Sequence, residues 1–503
     1  MQDQEAYIPD PEDGGNTALV IFISMAAALG GFLFGFDSGV INGTVDALQE
    51  AFNSDAVGTG FNVASMLLGS AVGAFFAGTV ADKFGRRLVM IATACLFIFS
   101  AWGSGIAWSS PTFVFFRIVG GVAVGAASVL APAYISEISP AHIRGRMATL
   151  QQLMIVVGLF IAFLSNYLIA GAAGSASDVF WLDFQAWRWM YWVEILPGSV
   201  FLISLFFVPE SPRYLVAAGR EGEAQDVLQR LLNAKDKARQ TVADIKETVV
   251  GSRKPRLSDI VSEHTGRVHP IVWVGLGLAA LQQFTGINVI FYYGATLWQA
   301  AGFDESSALM QNVISGSVNV GFTFIAIALI DKVGRRPLLL IGALGQAAAL
   351  AVMAFVFSTG SLGPDGGLQL SSSNGLVALL AANAYIAFFA FSWGPIMWVM
   401  LGEMFPNRIR GAALALAGMV QWGSNFLITM TFPILLSTLG LGVAYGIYAA
   451  FGVVAFVFVQ QYIEETMGKT LEDMSREHEA ADIAAGQRTR GTVPGEQISE
   501  GSS

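Results

Sequence analysis

The sequence predicts an all-α membrane protein, with twelve transmembrane helices in two six-helix halves and a helical segment between them outside the membrane. Composition is the first sign: of 503 residues, 54% are hydrophobic and 13% charged, against about 25% charged in an ordinary soluble domain. Charge segregation is the second, because long charge-free runs alternate with short charged loops. The third is an internal repeat, in which the loop motifs of the first half return in the second.

Apolar stretches lie near 18–41, 60–81, 88–107, 111–135, 147–170 and 187–208, and again near 270–300, 309–330, 337–358, 375–402, 410–436 and 440–463. Each is close to the roughly twenty residues that a helix needs to cross the hydrocarbon core. The chain divides into an N-terminal segment (1–17), a first half (18–208), a linker (209–269), a second half (270–463) and a tail (464–503). An even number of crossings puts both termini on one side. Of the 27 Lys and Arg residues, only Arg117 and Arg188 lie outside the even-numbered loops and the tail. The odd-numbered loops carry Asp46, Glu50, Asp55, Asp178, Asp183, Asp304, Glu305 and Asp365 instead. Basic loops stay in the cytoplasm, so both termini are expected there.

Met1 to Asn16 is polar and acidic and lacks the basic start of a signal peptide, so the first span is expected in the mature chain. In the linker, Ala224, Val227, Leu228, Leu231 and Leu232 recur at helical spacing among charges, which predicts amphipathic helices on the cytoplasmic face. From about Arg476 the tail has the composition of a disordered segment. The single cysteine, Cys95, and four scattered histidines predict no disulfide, metal centre or catalytic cluster. Gly468-Lys469-Thr470 ends like a phosphate-binding loop, yet Ile463 stands where that loop needs its first glycine and no strand precedes it. Neither enzymatic work nor ATP-driven transport is expected, and no cofactor.

The stretch Gly30 to Thr44 places an acid, Asp37, inside the first apolar span. A carboxylate at that depth costs about 3 kcal/mol on insertion scales, and intramembrane acids default to function. Gly30, Gly31 and Gly35 precede it and allow close approach of a neighbouring backbone or a ligand. Asn42-Gly43-Thr44 matches a glycosylation sequon but stands too close to the membrane for that use.

The repeat lies in the even loops. Asp82-Lys83-Phe84-Gly85-Arg86-Arg87 follows span two, and Asp331-Lys332-Val333-Gly334-Arg335-Arg336 follows span eight. Glu137 precedes Arg144-Gly145 after span four as Glu403 precedes Arg410-Gly411 after span ten. Two six-helix halves with matching loops are the parallel-repeat signature of a major facilitator transporter, whose halves enclose a mid-membrane site and rock against each other. Acids and arginines at neighbouring helix ends are expected to pair and to hold a cytoplasmic gate, because a bistable interface needs breakable pairs.

Further motifs make the chain resemble the sugar porter family over about residues 18 to 475. They are the two loops above, Pro209-Glu210-Ser211-Pro212-Arg213 after span six, Arg117-Ile118-Val119-Gly120-Gly121 in span four, and Gln282-Gln283-Phe284-Thr285-Gly286-Ile287-Asn288 in span seven. Taken by their chemistry alone, Gln282, Gln283 and Asn288 are uncharged donors and acceptors within about two turns, suited either to a neutral polyol or to bonding between helices. Gly286 between them permits a local break.

The resemblance implies a monosaccharide site formed by Phe34, Gln152, Gln282, Gln283, Asn288, Tyr292, Asn319, Trp398, Gln421, Trp422 and Asn425. Aromatic faces suit the C–H faces of a sugar, and amides take its hydroxyls. It implies proton coupling through Asp37 with Arg117 as partner, and gate residues Asp82, Arg86, Arg87, Glu137, Arg144, Glu210, Arg213, Asp331, Arg335, Arg336, Glu403 and Arg410. Beside Arg117 the carboxylate is held as an anion; rocking that parts the pair favours protonation, which ties the proton to conformation. Leu159, near Gln152, leans towards a hexose, with a pentose allowed. Glu194 in span six is expected to be structural.

The function implied is import of a monosaccharide with a proton. A uniporter of the same fold is the near alternative, and a non-transporting sugar sensor the remote one. The implied partners are a monosaccharide, a proton and the lipid bilayer, with no nucleic acid or nucleotide. A functional monomer in a bacterial inner membrane is expected, since the first outer loop is short.

Overall fold

The computed structural model describes residues 16–251, 257–262, 266–362, 368–406 and 408–467. The first ten spans are Thr17–Gly43, Ala56–Phe84, Arg86–Ile106, Ser110–Ile138, Thr149–Ala173, Ala186–Phe207, Pro270–Ala300, Glu305–Val333, Arg335–Ser358 and Ser372–Met404. The last long helix, Arg410–Tyr462, has 53 residues, about 80 Å at 1.5 Å per residue and far more than one crossing needs. It turns at Gly440 (φ 78°, ψ 171°), a backbone that only glycine adopts without strain. Spans eleven and twelve therefore meet without a loop, and the count of crossings is twelve.

The helix ends repeat between halves as the loops do. Asp55 caps span two by accepting from the Gly58 N–H at 2.7 Å, and Asp304 caps span eight by accepting from the Ser307 N–H at 3.0 Å. At the other end Gly85 (φ 95°) and Gly334 (φ 97°) turn the chain into spans three and nine.

Close backbone contact holds the first half together, as lipid offers no hydrophobic drive between helices. Gly31, Gly35, Gly39 and Gly43 recur every fourth residue along span one and face span five. A Cβ on Gly35 would lie 1.8 Å from the Ile155 carbonyl oxygen, and one on Gly158 would lie 2.0 Å from that of Phe32. Spans two and four meet in the same way, through Gly69 and Gly73 against Gly121 and Gly125.

The linker forms helices Pro212–Ala217, Glu221–Leu232 and Lys235–Gly251 around Leu215, Val216, Ala224, Leu228, Ala238 and Val242. Three of the five apolar positions read from the sequence, Ala224, Leu228 and Leu231, are buried. The N-terminal segment up to residue 15 and the tail from 468 lie outside the described residues. At the acidic end of the bundle a short helix, Val45–Phe52, follows span one, and strand pairs Val179–Trp181 with Phe184–Gln185 and Ser361–Leu362 with Leu368–Gln369 fill two loops.

Several hydrogen bonds join the two halves at this acidic end. Asp46 accepts from Thr296 Oγ1 at 2.9 Å and from Gln299 Nε2 at 2.7 Å, and Glu305 accepts from the Ala176 N–H at 2.8 Å. At the basic end the described ion pairs of Arg86 and Arg335 stay within one half.

Candidate functional site

Span seven is two helices, Pro270–Phe284 and Ile287–Ala300, parted at Gly286 (φ 82°). The break turns Gln282 and Gln283, in the last turn of one piece, towards Asn288, in the first turn of the next. Asn288 Nδ2 donates to Gln283 Oε1 at 2.5 Å, Gln283 Nε2 to Gln282 Oε1 at 3.0 Å, and Gln282 Nε2 to the Trp393 carbonyl at 2.8 Å. Gln421 Nε2 from span eleven donates to Gln282 Oε1 at 3.4 Å, while its own Oε1 is buried without a partner. The amides thus hold one another in fixed orientations and keep acceptor capacity unspent.

These amides line a cavity between the halves with about 850 Å³ of empty space, part of it open to solvent. All eleven residues expected to touch a sugar line it, together with Ser38 and Leu159. Phe34 and Trp422 meet across the halves with ring centroids 5.8 Å apart. Asn425 Nδ2 donates to Tyr292 Oη at 3.3 Å. In span ten a π turn, Phe389–Trp393, precedes Gly394-Pro395 and brings Phe389 and Trp398 to the wall; Trp398 stays 40% exposed to the open space. No residue lining the cavity is charged, a surface suited to a neutral polar ligand.

Asp37 lies one residue before the cavity-lining Ser38 and points away from the cavity. Its side chain and that of Arg117 are almost wholly buried. Arg117 Nη1 donates to Asp37 Oδ1, and Nη2 donates to the Asp37 carbonyl at 3.2 Å and to Met66 Sδ at 3.1 Å. The guanidinium also lies 5.6 Å from the centroid of the Tyr191 ring, a cation–π contact. No N–H or hydroxyl donates to Asp37 Oδ2 or to either oxygen of the buried Glu194; the two carboxyls lie within hydrogen-bonding reach of each other, a bond that needs a proton on one of them. Glu194 sits at the interruption of span six between Ala186–Trp192 and Ile195–Phe207 and interacts electrostatically with both Asp37 and Arg117. It therefore belongs to this buried cluster with Asp37 and Arg117.

Residues 23–478 match the family described as sugar (and other) transporter. The chain belongs to that family. A glucose transport protein of Synechocystis is 50% identical over 460 residues, covering 91% of this chain and 97% of that protein. The D-xylose-proton symporter of Escherichia coli K12 is 37% identical, covering 91% and 96%. The solved structure of the E. coli xylose transporter in a partially occluded inward open conformation superposes with a TM-score of 0.77 at 36% identity, covering 90% of this chain and all of that one.

In this sugar transporter the expected gate residues form two matching clusters at the basic end. Arg86 pairs with Asp82 at 2.8 Å and Glu137 at 3.2 Å; Arg335 pairs with Asp331 at 3.1 Å and Glu403 at 2.9 Å. Glu210 accepts from the backbone N–H groups of Arg86 and Arg87 at 2.9 and 3.2 Å, at the start of span three, where a carboxylate meets the unpaired donors of a helix N-terminus. Arg410 donates to the Phe405 carbonyl at 2.9 Å, and Arg213 is exposed. The Arg144 side chain lies outside the described residues.

The span-twelve exit, Glu464-Glu465-Thr466, is expected from the sequence to keep an acid for gating, without Glu465 being placed among the gate residues; Glu465 does for span nine what Glu210 does for span three, accepting from the N–H groups of Arg335 and Arg336, both at 3.0 Å. The neighbouring hydroxyls match as well, Ser211 donating to Glu137 and Thr466 to Glu403. Superposing the exits of spans six and twelve, Glu210-Ser211 on Glu465-Thr466, picks out which of the two acids takes this place.

Proposed function

We propose that this sugar transporter imports a monosaccharide with a proton by alternating access, with a hexose favoured and a pentose accepted. The observation that carries this reading is the pairing of two sites on one helix turn. A charge-free wall of amides and aromatic rings faces the cavity at Ser38, and a buried carboxylate–guanidinium pair lies one residue away at Asp37. Two acids share one base there, and a bound proton would neutralise the excess, since an unpaired charge in such a site is costly. The names of the relatives agree with this substrate class, and the apolar Leu159 in the wall supports the hexose.

In this reading the basic end faces the cytoplasm of a bacterial inner membrane, with both termini there, and the working unit is a monomer that performs no chemistry on its substrate. The clusters around Arg86 and Arg335 act as the cytoplasmic gate, stiffening the ends of each half that meet when that side closes.

Reconstitution in liposomes tests the reading. D-glucose, then D-xylose, is added with no imposed gradient while the external pH is followed. Alkalinisation that depends on sugar and is lost in Asp37→Asn supports symport. Uptake without pH change makes the protein a uniporter and leaves Asp37 a structural partner of Arg117. Absence of uptake for both sugars refutes the substrate class.

A further inference from the structure

The second piece of span seven bends at Tyr293 (φ −116°, ψ 16°), yet Ile287–Ala300 contains no proline. A bend without proline has another identifiable cause, such as a side chain inserted in the ladder of backbone hydrogen bonds. That side chain is Asn42, from the end of span one in the other half. Its Nδ2 donates to the Phe291 carbonyl at 2.9 Å and to that of Ile290 at 3.4 Å, while its Oδ1 accepts from the Ala295 N–H at 3.1 Å. Ala295 and Phe291 are four residues apart, so the rung that would join them runs instead through the Asn42 carboxamide. Asn312 of span eight donates to the same Oδ1 at 2.6 Å.

Gly294 supplies independent support. A Cβ there would lie 2.2 Å from Asn312 Oδ1 and 2.8 Å from Asn42 Nδ2, so the glycine leaves the space that the inserted amide fills.

We propose that Asn42 is a removable wedge: inserted, it bends span seven and locks the halves at the acidic end, and withdrawn, it lets the Ala295–Phe291 rung close and span seven straighten. Withdrawal costs little enough to be reversible, because the helix regains a backbone hydrogen bond while the amide moves to water, yet it leaves the inserted form favoured by about tenfold or more. Phe291, Tyr292 and Asn288 line the cavity on the same piece of helix. Straightening therefore shifts sugar contacts and opens the acidic end in one movement. Asn42 is a positioning residue in this scheme, since it does not line the cavity. The inference rests on alternating access but on neither the sugar nor the proton.

The test uses two reporters in a Cys95→Ser background. Leu309→Cys reports the acidic end, where Leu309 is buried beside the Asp46 recess. Thr323→Cys reports the cavity from the basic end, one turn beyond Asn319. A membrane-impermeant thiol reagent is applied from the side each reporter faces, using vesicles of both orientations. Adding Asn42→Ala is expected to raise the rate at Leu309→Cys by about tenfold or more, for the loss of two or three hydrogen bonds, and to lower it at Thr323→Cys. Gly294→Ala, which crowds the amide out and favours a straight helix, is expected to give the same opposed pair of changes. A merely damaged protein raises both rates, and that outcome overturns the wedge. Unchanged rates in a parent that reacts from both sides overturn the wedge and leave alternating access standing. A parent that reacts from one side alone, with variants identical to it, overturns both.

Discussion

Removal of the Asp37 carboxylate has two predicted consequences that come apart in a second variant. Arg117 is fully buried, and without the Asp37 carboxylate its remaining hydrogen-bond acceptors are a backbone carbonyl at 3.2 Å and a thioether at 3.1 Å. Breaking a buried pair by deleting one member costs about 3–5 kcal/mol, because the other charge is left uncompensated. Glu194 interacts with Arg117 as well, which puts Asp37→Asn at the lower figure, about 3 kcal/mol. At about 2–4 °C per kcal/mol for a unit of this size, the unfolding midpoint in detergent falls by roughly 6–12 °C. Adding Arg117→Met removes the stranded cation, and exchange of a buried pair for apolar groups is often neutral. The double variant should regain most of the lost stability.

Transport should not follow stability. A gradient of one pH unit is worth about 1.4 kcal/mol per proton, enough for about tenfold sugar accumulation at one proton per sugar. The native protein should approach that ratio in liposomes. Both variants should equilibrate sugar without accumulating it, as the cavity wall is untouched. A double variant that regains stability and accumulates sugar would place the coupled proton elsewhere and refute the scheme. A single variant as stable as the native protein would show that the pair contributes little to folding.

Gln283→Ala removes the middle of the amide chain and strands Asn288 Nδ2, so the apparent affinity for sugar should fall about 10- to 100-fold at one to two lost hydrogen bonds, measured by sugar-dependent quenching of tryptophan fluorescence; an unchanged affinity would take Gln283 out of the site. Gly35→Ala forces a Cβ to within 1.8 Å of the Ile155 carbonyl and should destabilise by about 1–3 kcal/mol or more, read from thermal unfolding; native stability would show that spans one and five part freely. Burial, opposed by hydrogen bonds from Thr296 and Gln299, holds the Asp46 carboxyl above its usual range while the acidic end is closed. The closed form then binds a proton more readily than the solvated open form. Closure is favoured in acid and loses that support as pH rises from the ordinary carboxylate range through the raised value. Labelling of Leu309→Cys from the acidic side, divided at each pH by that of a free thiol, should accelerate across that rise and stay flat in Asp46→Asn, with Glu50 and Glu305 in the same recess; an identical normalised profile in Asp46→Asn would exclude this carboxyl.

What the sequence made legible divides by the range of the forces involved. The spans follow from hydropathy, a local property. The break in span seven follows from one glycine, Gly286, between polar residues. The loop pairs were readable because two copies of one pattern stand in one chain. The specific place of Glu465 escaped because Glu464-Glu465-Thr466 matches Pro209-Glu210-Ser211 only in its last two positions, by kind of side chain. The π turn of span ten escaped because Phe389–Trp393 contains no helix breaker; it precedes Gly394-Pro395 and depends on packing. The place of Asn42 was out of reach, since its partners lie about 250 positions away in the other half and the triplet around it fits a sequon by coincidence. Contacts between halves are set by tertiary fit, which neither composition nor periodicity encodes.

Span one shows why sugar, proton and gate need no relay between them. Phe34, Ser38 and Asn42 are spaced four residues apart and lie along one face of the helix, towards the second half. Gly31, Gly35, Gly39 and Gly43 form a second face, seated on span five. Asp37 is one residue, or about 100°, round from Ser38 and meets Arg117 of span four on a third. The glycine face allows backbone contact too close for span one to shift against span five without a clash, so the two move together. A displacement of span one that frees Asn42 at the acidic end then also moves Phe34 at the cavity wall and carries Asp37 with it. Coupling of this kind depends on rigidity rather than on a chain of signals, and it would let one helix, with glycine at every fourth position from Gly31 to Gly43, carry the proposed sugar, proton and gate residues together.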